Sequence, residues 1–502
     1  MIWDAAFMSL SNKEEALPLA QTLNNKKIKI YASSGTYRYL TEKGIDAINI
    51  DQFTGFSSLL GNRIKTLHPY VYSSILYDKK YALDVSQMPI KPVQLVVVSL
   101  YPFEDIAMKK NASEEDLIEN IDIGGVSLIR ASAKNYINTI PVVSVEDYGF
   151  IADKVRKGED LSIEERKYFA AKAFRYTSYY DSIIASELNF NVLEDFFTLP
   201  LKSAIPLRYG ENPHQKAKFY TIHGHSSFGE IKQLHGSALS YNNLLDIDGA
   251  VSLVNEFDEP FAVGIKHLTP CGASESNEIT KALEGMIRGD VVSIYGGIVA
   301  VNREFDDNCV KSIKGLFIDC LIAPSYTESA LEKLKKRQKI KIIEYNRTSD
   351  PRYMYRSTRW GMLIQEIDNR SLSTDELKVV TNKPLDKEYL DDVIFGWKII
   401  KNVRSNGIAI VKNRTVLGIG SGQTSRVMAV KIACMKAGEN AKGAVLISDA
   451  YFPFRDGIDV AAEHGIKVIV QPGGSIRDQE VIDSANEHNI AMAFTGWRRF
   501  SH

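Results

Sequence analysis

The segment Arg208-Tyr209-Gly210-Glu211-Asn212-Pro213-His214-Gln215 packs a guanidinium, a phenol, a carboxylate, two amides and an imidazole into eight residues. It has neither the alternation of a strand nor the i, i+3, i+4 pattern of a helix. Gly210 and the Asn212-Pro213 pair mark it as turn or loop. A loop so dense in directional hydrogen-bonding groups is either a solvated turn or a clamp for a small polar molecule. Its place at the junction of two compositional blocks favours the clamp. A second candidate is Lys266-His267, between the apolar run Phe261 to Ile265 and the turn Thr269-Pro270-Cys271-Gly272. Neighbours on a strand face opposite ways, so both serve one site only if the strand ends there, as Pro270 and Gly272 suggest. Taken alone the pair is equally a surface lysine beside a capping histidine. As chemistry, it offers a base with a pKa near neutrality and a cation that keeps that base unprotonated.

Four further polar clusters precede residue 136. Ser9 to Lys13 leads toward a helix that could start at a Ser11 cap. Ser33-Ser34-Gly35-Thr36 is a small-residue turn. Hydroxyls, backbone amides and a helix N-terminus together suit a phosphate, although each alone is also an ordinary cap. In Gly61 to Pro69, Arg63 and Lys65 would share one face of an extended segment and converge on an anion. In Asn120 to Gly125, Asp122 precedes a glycine turn, with Lys134 following and the strand end Leu100-Tyr101-Pro102-Phe103 before it.

These groups need a scaffold. Ile28 to Tyr31, the near-continuous run Val93 to Val98 and Ile140-Pro141-Val142-Val143 read as strands separated by helical stretches, which implies a parallel α/β sheet. Pro141 marks an edge or a strand start. Residues 161–188 read as helices rich in Tyr and Phe. A boundary is expected near 190–205. Beyond it, Phe261 to Ile265, Phe317 to Ala323, Ile408 to Val411, Gly443 to Ile447 and Ile466 to Val470 read as strands, with a softer break near Asn382-Lys383-Pro384. The expected division is 1–195 and 200–502, the latter in lobes of about 200–380 and 381–502. Polar groups at its strand or loop ends include Asn242, Gly297, Asn406 and Asp456. Gly418 to Gly422 imitates a dinucleotide fingerprint, but the third glycine and the following acid are missing.

At 502 residues the chain exceeds one core. Its 44% hydrophobic and 25% charged residues are those of a globular protein. A formal net charge of −1 gives no electrostatic footprint for nucleic acid. Four scattered cysteines without a CxxC argue against a disulfide framework or a cysteine zinc site. No 18-residue apolar run is present. A cytoplasmic protein, neither membrane-bound nor nucleic-acid-binding, is the expectation.

The segments RIKTLHP, SLYPF, ENIDIGG and ASAKN resemble inosine monophosphate (IMP) cyclohydrolase, the N-terminal half of a bifunctional purine enzyme. That resemblance implies a methylglyoxal-synthase-like parallel sheet. Ser11, Lys13, Ser34, Gly35, Thr36, Arg63, Lys65 and Thr66 would hold the nucleotide's phosphate and ribose region. Lys65, Tyr101, Asp122 and Lys134 would surround the closing ring. Relatives usually have serine-threonine-glycine-glycine-threonine where this chain has Ala32 to Thr36.

LRYGENPHQ, SYNNLLDIDGA, IKHLTPCG, GSGQTSR, DAYFPFRDG, QPGGSIRD and FTGWRRF resemble aminoimidazole carboxamide ribonucleotide (AICAR) transformylase, the C-terminal half of the same enzyme, in family order. The resemblance implies two cytidine-deaminase-like lobes without zinc. It makes His267 the proton shuttle and Lys266 the stabiliser of charge on the formyl oxygen. Arg208 and Tyr209 would bind phosphate and ring, supported by Arg498 and Phe500. Asn406 would contact the formyl group or folate, and Ser425, Arg426, Tyr451 and Asp456 would line the shared pocket with Asn242 and Gly297. Relatives often have phenylalanine for Tyr451, histidine for Arg499 and aspartate for Ser325.

The implied reactions are formyl transfer from 10-formyltetrahydrofolate to AICAR, then cyclisation of formyl-AICAR to IMP with loss of water, in a homodimer and without a metal. The alternatives are a transformylase with an inactive or regulatory N-terminal half, and a nucleotide-binding scaffold without turnover.

Overall fold

The computed structural model describes residues 3–55, 64, 66–81, 91–109, 111–189, 194–223, 231–347 and 351–502. The chain forms two compact units, one running to Lys202 and resumed at Ile222, the other taking Ser203–Thr221 and the rest.

In the first unit β1 (Ala5–Leu10), β2 (Lys29–Ala32), β3 (Ile48–Asn49), β4 (Leu95–Ser99) and β5 (Ile140–Val142) make one parallel sheet, ordered β3-β2-β1-β4-β5. Leu95 to Val98 are at most 1% exposed, because apolar layers cover both faces of the sheet. Pro141 lies in the edge strand, where its missing N–H breaks no ladder. The aromatic-rich stretch is one helix, Ile163–Leu188, begun by a capping box between Ser162 and Glu165. Strand order reverses across β1 and β4, and the carboxyl ends there are where such sheets bind ligands.

A small two-stranded sheet follows, β6 (Leu201–Pro206) with β7 (Lys218–Ile222). The second unit contains β8 (Ile231–His235), β9 (Phe261–Lys266), β10 (Thr269–Glu275), β11 (Ile298–Val301), β12 (Cys320–Ala323) and β13 (Lys341–Tyr345). A separate hairpin joins β14 (Tyr353–Thr358) to β15 (Gly361–Glu366). Then come β16 (Lys378–Val379), β17 (Ile408–Lys412), β18 (Thr415–Gly420), β19 (Val445–Ser448), β20 (Val468–Gln471) and β21 (Ala491–Phe494).

Twelve of these form one sheet, ordered β16-β21-β20-β19-β17-β18-β10-β9-β11-β12-β13-β8. Its centre is a repeat. An antiparallel hairpin followed by three parallel strands occurs as β9 to β13 and again as β17 to β21. The two copies meet antiparallel at Ser274 and Thr415. On one face a single apolar core runs across both copies, from Ile247 and Leu253 to Val393 and Trp397. Each copy has its own core on the other face. Helices therefore cover both sides, giving three layers.

The glycine-rich stretch after Val416 serves this packing. A Cβ on Gly420 would stand 1.9 Å from the carbonyl oxygen of Ala429, and one on Gly418 2.1 Å from that of Ala433. Both glycines let β18 approach the Arg426–Ala437 helix, so the resemblance to a dinucleotide loop is one of composition only.

Candidate active site

Register decides which loops share an edge of the large sheet. Ile265 pairs with Ile298, and Ile408 pairs with both Gly420 and Ser448. With the antiparallel junction, one edge collects the end of β9, the starts of β11, β12 and β13, the end of β18, the start of β17 and the ends of β19 to β21. Lys266-His267, Gly297, Asn406, Ser425 and Tyr451 all fall beside that edge.

On the first copy's side a cavity of about 410 Å³ is lined by Arg208, Tyr209, Ser240, Asn243, Phe317, Asp319 and Lys341, with Ser237, Gln338 and Lys339. The loop that carries Arg208 is folded by its own amides. Gly210 N–H donates to the Gln215 carbonyl at 2.8 Å, and Asn212 N–H to Gln215 Oε1 at 2.8 Å. Arg208 stacks 4.6 Å from the Tyr209 ring and donates to its hydroxyl at 2.8 Å. Asn242 Nδ2 donates to the Glu211 carbonyl, tying the loop to the Tyr241–Asn255 helix. Ser240 and Asn243 cap that helix reciprocally, and Asn243 Nδ2 donates onward to Asp319 Oδ2 at 2.8 Å. Lys341 Nζ donates to Asp319 Oδ1 at 2.7 Å. Asp319 and Lys341 went unmarked in the sequence. Asp319 is hidden inside an apolar run that reads as strand from Phe317, whereas β12 begins at Cys320.

Strand β9 does end at Lys266. His267 and Leu268 form a two-residue turn with φ of 53° and 60°, and Thr269 pairs back on Lys266. Ordinary side chains enter this left-handed region at a cost, and such strain clusters at functional sites. His267 is exposed. Lys266 Nζ donates to the Tyr295 carbonyl at 2.9 Å, and the Tyr295 ring packs 5.4 Å from that of Phe317 in the cavity wall. Gly297 accepts from Asp319 N–H at 3.0 Å. The structure thus puts Arg208 and Tyr209 in the cavity wall and ties Lys266 and Gly297 to that wall through Tyr295 and Asp319.

On the second copy's side Arg426 and Asp449 are buried and paired. Arg426 also donates to Ser448 Oγ at 2.8 Å and to Asn406 Oδ1 at 2.6 Å, while Asn406 Nδ2 donates to the Gln423 carbonyl at 2.8 Å. Arg426 and the Asn406 amide are therefore engaged with the protein itself. Ser425 caps the Arg426–Ala437 helix by position, and Asp456 opens the Asp456–Glu463 helix, exposed. Tyr451 is exposed. The C-terminal segment is docked. Arg499 N–H donates to the Asp449 carbonyl at 2.8 Å and Ser405 N–H to the Ser501 carbonyl at 2.9 Å, leaving Arg498 over the exposed Phe500 ring at 4.4 Å.

In the first unit the carboxyl ends of β1 and β2 bring their polar groups together. Ser33 Oγ donates to Thr36 Oγ1 at 3.2 Å, and Leu10 N–H donates to the same Thr36 oxygen at 2.9 Å. Lys13 donates to the Ser11 carbonyl, and its Cε stands 3.9 Å from where a Cβ on Gly35 would be. The Ser34 hydroxyl donates to Asp51 Oδ2 at 2.8 Å, a carboxylate that the sequence reading passed over. Arg63 and Lys65 lie outside the described residues. Thr66 is buried, 2.7 Å from where a Cβ on Gly124 would be. Asp122 accepts from Gly125 N–H at 2.7 Å and from Tyr101 N–H at 3.4 Å, so Thr66, Tyr101 and Asp122 meet at the start of the Gly124–Lys134 helix. Lys134 is its last residue and exposed. At 1.5 Å per residue it stands about 15 Å along the axis from Gly124, so the structure separates Lys134 from Asp122.

Among the described residues, no three His, Cys, Asp or Glu side chains cluster as a metal site would require. The four cysteines are buried and unpaired, with burial raising every thiol pKa.

A family model described as AICARFT/IMPCHase bienzyme matches residues 132–436. A second, described as an MGS-like domain, matches residues 15–127. The chain is 42% identical over 510 residues to the bifunctional purine biosynthesis protein PurH of Caldicellulosiruptor saccharolyticus, covering 99% of both chains. It is 43% identical over 512 residues to PurH of Caldicellulosiruptor bescii and 38% identical over 507 residues to PurH of Bacillus subtilis, each at 99% coverage of both chains. From its first sheet to its docked C-terminus, this chain belongs to the AICARFT/IMPCHase bienzyme family of bifunctional purine biosynthesis proteins.

Proposed function

We propose that the chain transfers a formyl group to AICAR and then closes formyl-AICAR to IMP, the second unit doing the first step and the first unit the second. The observation that carries this is the turn at Lys266-His267. Its backbone is left-handed, and Lys266 is tied through the Tyr295 carbonyl to a residue whose ring packs on Phe317 in the wall of the polar cavity.

For formyl transfer, Arg208 and Tyr209 would bind the nucleotide's phosphate and ring. The donor in this reading is 10-formyltetrahydrofolate, a cosubstrate. As the weakly nucleophilic amine attacks the formyl carbon, His267 takes the amine proton. Lys266 supports charge on the formyl oxygen and the departing folate nitrogen. Positioning and proton transfer supply the rate. Arg426 acts by fixing Asn406, with Ser425, Tyr451 and Asp456 lining the shared pocket beside it and Arg498 and Phe500 supporting the nucleotide.

For cyclisation, the carboxamide nitrogen attacks the formyl carbon of the same molecule and water leaves. Ser11, Lys13, Gly35 and Thr36 suit the phosphate, with Ser34 held by Asp51. Tyr101 and Asp122 suit proton movement at the ring. Arg63, Lys65 and Lys134 belong to this site on the resemblance alone. In this reading the domains are 1–195 and 200–502, the latter in lobes of about 200–380 and 381–502.

A homodimer fits the β14–β15 hairpin, which leaves Met354, Trp360, Met362 and Leu363 half or more exposed. A cytoplasmic location is supported by free cysteines and by the absence, among the described residues, of a helix long and apolar enough to cross a membrane.

The test is purified protein given AICAR and 10-formyltetrahydrofolate. IMP as the product supports the proposal. Formyl-AICAR without IMP leaves a transformylase with a regulatory first unit, and neither product leaves a binding protein.

A further inference from the structure

Asp246, on the Tyr241–Asn255 helix, accepts the backbone N–H of Leu268 at 2.7 Å. Leu268 is the second residue of the left-handed turn, and a leucine is poorly suited to that conformation. Three residues further along the helix, on the same face, Gly249 lies against the Leu268 side chain. A Cβ on Gly249 would stand 3.8 Å from Leu268 Cδ2. One helix face therefore grips the turn by its amide and by its side chain. The first turn of that helix also lines the cavity through Ser240 and Asn243. A single rigid rod thus sets the cavity wall and the Lys266-His267 turn, about 4.5 Å of rise apart from Asn243 to Asp246.

The second copy of the repeat acts as an internal control. There the hairpin turn is Asn413-Arg414, with φ of 52° and 51°. Asp392, on the helix that precedes that hairpin, accepts both turn amides, at 3.0 and 2.6 Å. Asparagine tolerates this backbone, and that turn lies at the opposite edge of the sheet, away from the site. The helix-borne aspartate is thus the fold's way of holding this hairpin. What differs at the functional edge is what the turn carries, since there the hold sets the backbone beside Lys266 and His267.

We infer that Asp246 is a positioning residue for formyl transfer. Its carboxylate fixes the left-handed Leu268 backbone and thereby sets Lys266 and His267 at the functional edge of the sheet. It touches neither substrate nor the reacting atoms, and the inference rests on the reading of Lys266-His267 as the transfer pair.

The experiment is steady-state formyl transfer by full-length wild-type, Asp246→Asn, Asp246→Ala and Asp246→Glu proteins. Asparagine keeps an acceptor oxygen at the same reach but gives up the charge, so its kcat should fall by less than about tenfold and stay above that of alanine. Alanine removes the acceptor and glutamate displaces it. Their kcat should fall about 10- to 100-fold, as for loss of a hydrogen bond to a charged group, with the nucleotide KM within about threefold. Wild-type kcat in the alanine and glutamate variants, asparagine as impaired as alanine, or a loss confined to KM would each overturn the inference. If the alanine variant does not fold, glutamate against asparagine decides. His267→Ala, run alongside, separates the two claims. If it retains formyl transfer, the reading of the pair fails. If it is inactive while Asp246→Ala is fully active, only the positioning role fails.

Discussion

Lys266 and Lys412 make the same hydrogen bond in the two copies of the repeat. Each closes the first strand of its hairpin and donates Nζ at 2.9 Å to a carbonyl at the approach to the next parallel strand, Tyr295 for one and Lys442 for the other. A contact that occurs at both edges of the sheet is a property of the hairpin before it is a property of the site. The site has borrowed it. In one copy the tie holds an ammonium beside a cavity, and in the other it holds a lysine over a strand junction.

That duplication makes a matched pair of substitutions informative. Lys412→Met should leave both half-reactions unchanged and cost well under 1 kcal/mol of stability, because the lost bond is solvent-exposed. Lys266→Met should lower the formyl-transfer kcat about 100-fold, the size of losing one preorganised charge at a developing oxyanion. Cyclisation of supplied formyl-AICAR should survive. Kinetics and thermal unfolding of both variants check this. Equal kinetic losses would mean that Lys266 acts only through the hairpin.

Arg208 supplies a prediction about binding. Its guanidinium is stacked on Tyr209 and bonded to that hydroxyl, so it is aimed before any ligand arrives. Arg208→Ala should raise the nucleotide KM about 10- to 100-fold with kcat little changed, the pattern of lost uniform binding. Arg208→Lys should recover little, since an ammonium neither stacks nor forks. A loss carried by kcat would move Arg208 from the phosphate to the reacting centre.

Much of this was legible in the sequence, for physical reasons that differ by element. Val93 to Val98 is readable because a strand buried on both faces needs an unbroken apolar run, and β4 occupies Leu95–Ser99. Pro141 announced an edge, and β5 is one. Pro270 and Gly272, expected as a turn after β9, instead lie inside β10, and the turn that ends β9 is His267-Leu268. What stayed hidden depends on contacts distant in sequence. Asp319 looks like a blemish in a strand until Asn243 and Lys341 are seen on either side of it. The repeat is invisible because its two copies share geometry and hardly any residues. Asp246 and Asp392 sit at different depths in their helices, yet end under equivalent turns. The single helix from Gly124 to Lys134 likewise parts two residues that the sequence places around one glycine turn.

Asp392 should behave unlike Asp246 although their bonding is alike. It is buried, its pKa is raised chiefly by desolvation, and two turn amides depend on it. Asp392→Ala strands both N–H groups and should cost about 2–3 kcal/mol of stability. Formyl-transfer kcat per folded molecule should be unchanged, because that turn lies at the far edge of the sheet. Denaturant titration with activity measured on the native fraction checks both halves of the statement. A kcat loss without a stability loss would contradict it.

The last prediction concerns pH and the first unit, where His223 joins two carboxylates. Its Nε2 lies 2.8 Å from Glu187 and its Nδ1 3.9 Å from Glu104, which also accepts from Tyr179 at 2.8 Å. Hydrogen bonding to Glu104 raises the imidazole pKa most, against desolvation, with Glu187 adding to it. The shorter contact is nonetheless the one to Glu187. In return, hydrogen bonding from His223 is the main cause that takes Glu104 down to about 2. The signs follow by linkage. The raised histidine contributes stability that is complete below its unfolded value of 6.5 and is lost as pH rises through its higher folded value. The lowered glutamate contributes stability that is complete above 4.5 and is lost as pH falls toward about 2. Both terms are therefore fully present only between about pH 4.5 and 6.5. Wild-type protein should exceed His223→Gln in Tm most within that window, and the gap should narrow above pH 7 as the imidazole loses its proton. Calorimetric scans of the two proteins from pH 4 to 9 measure it, and a gap that widens toward pH 9 would mean that His223 is neutral in the fold and serves there as an uncharged hydrogen-bond partner.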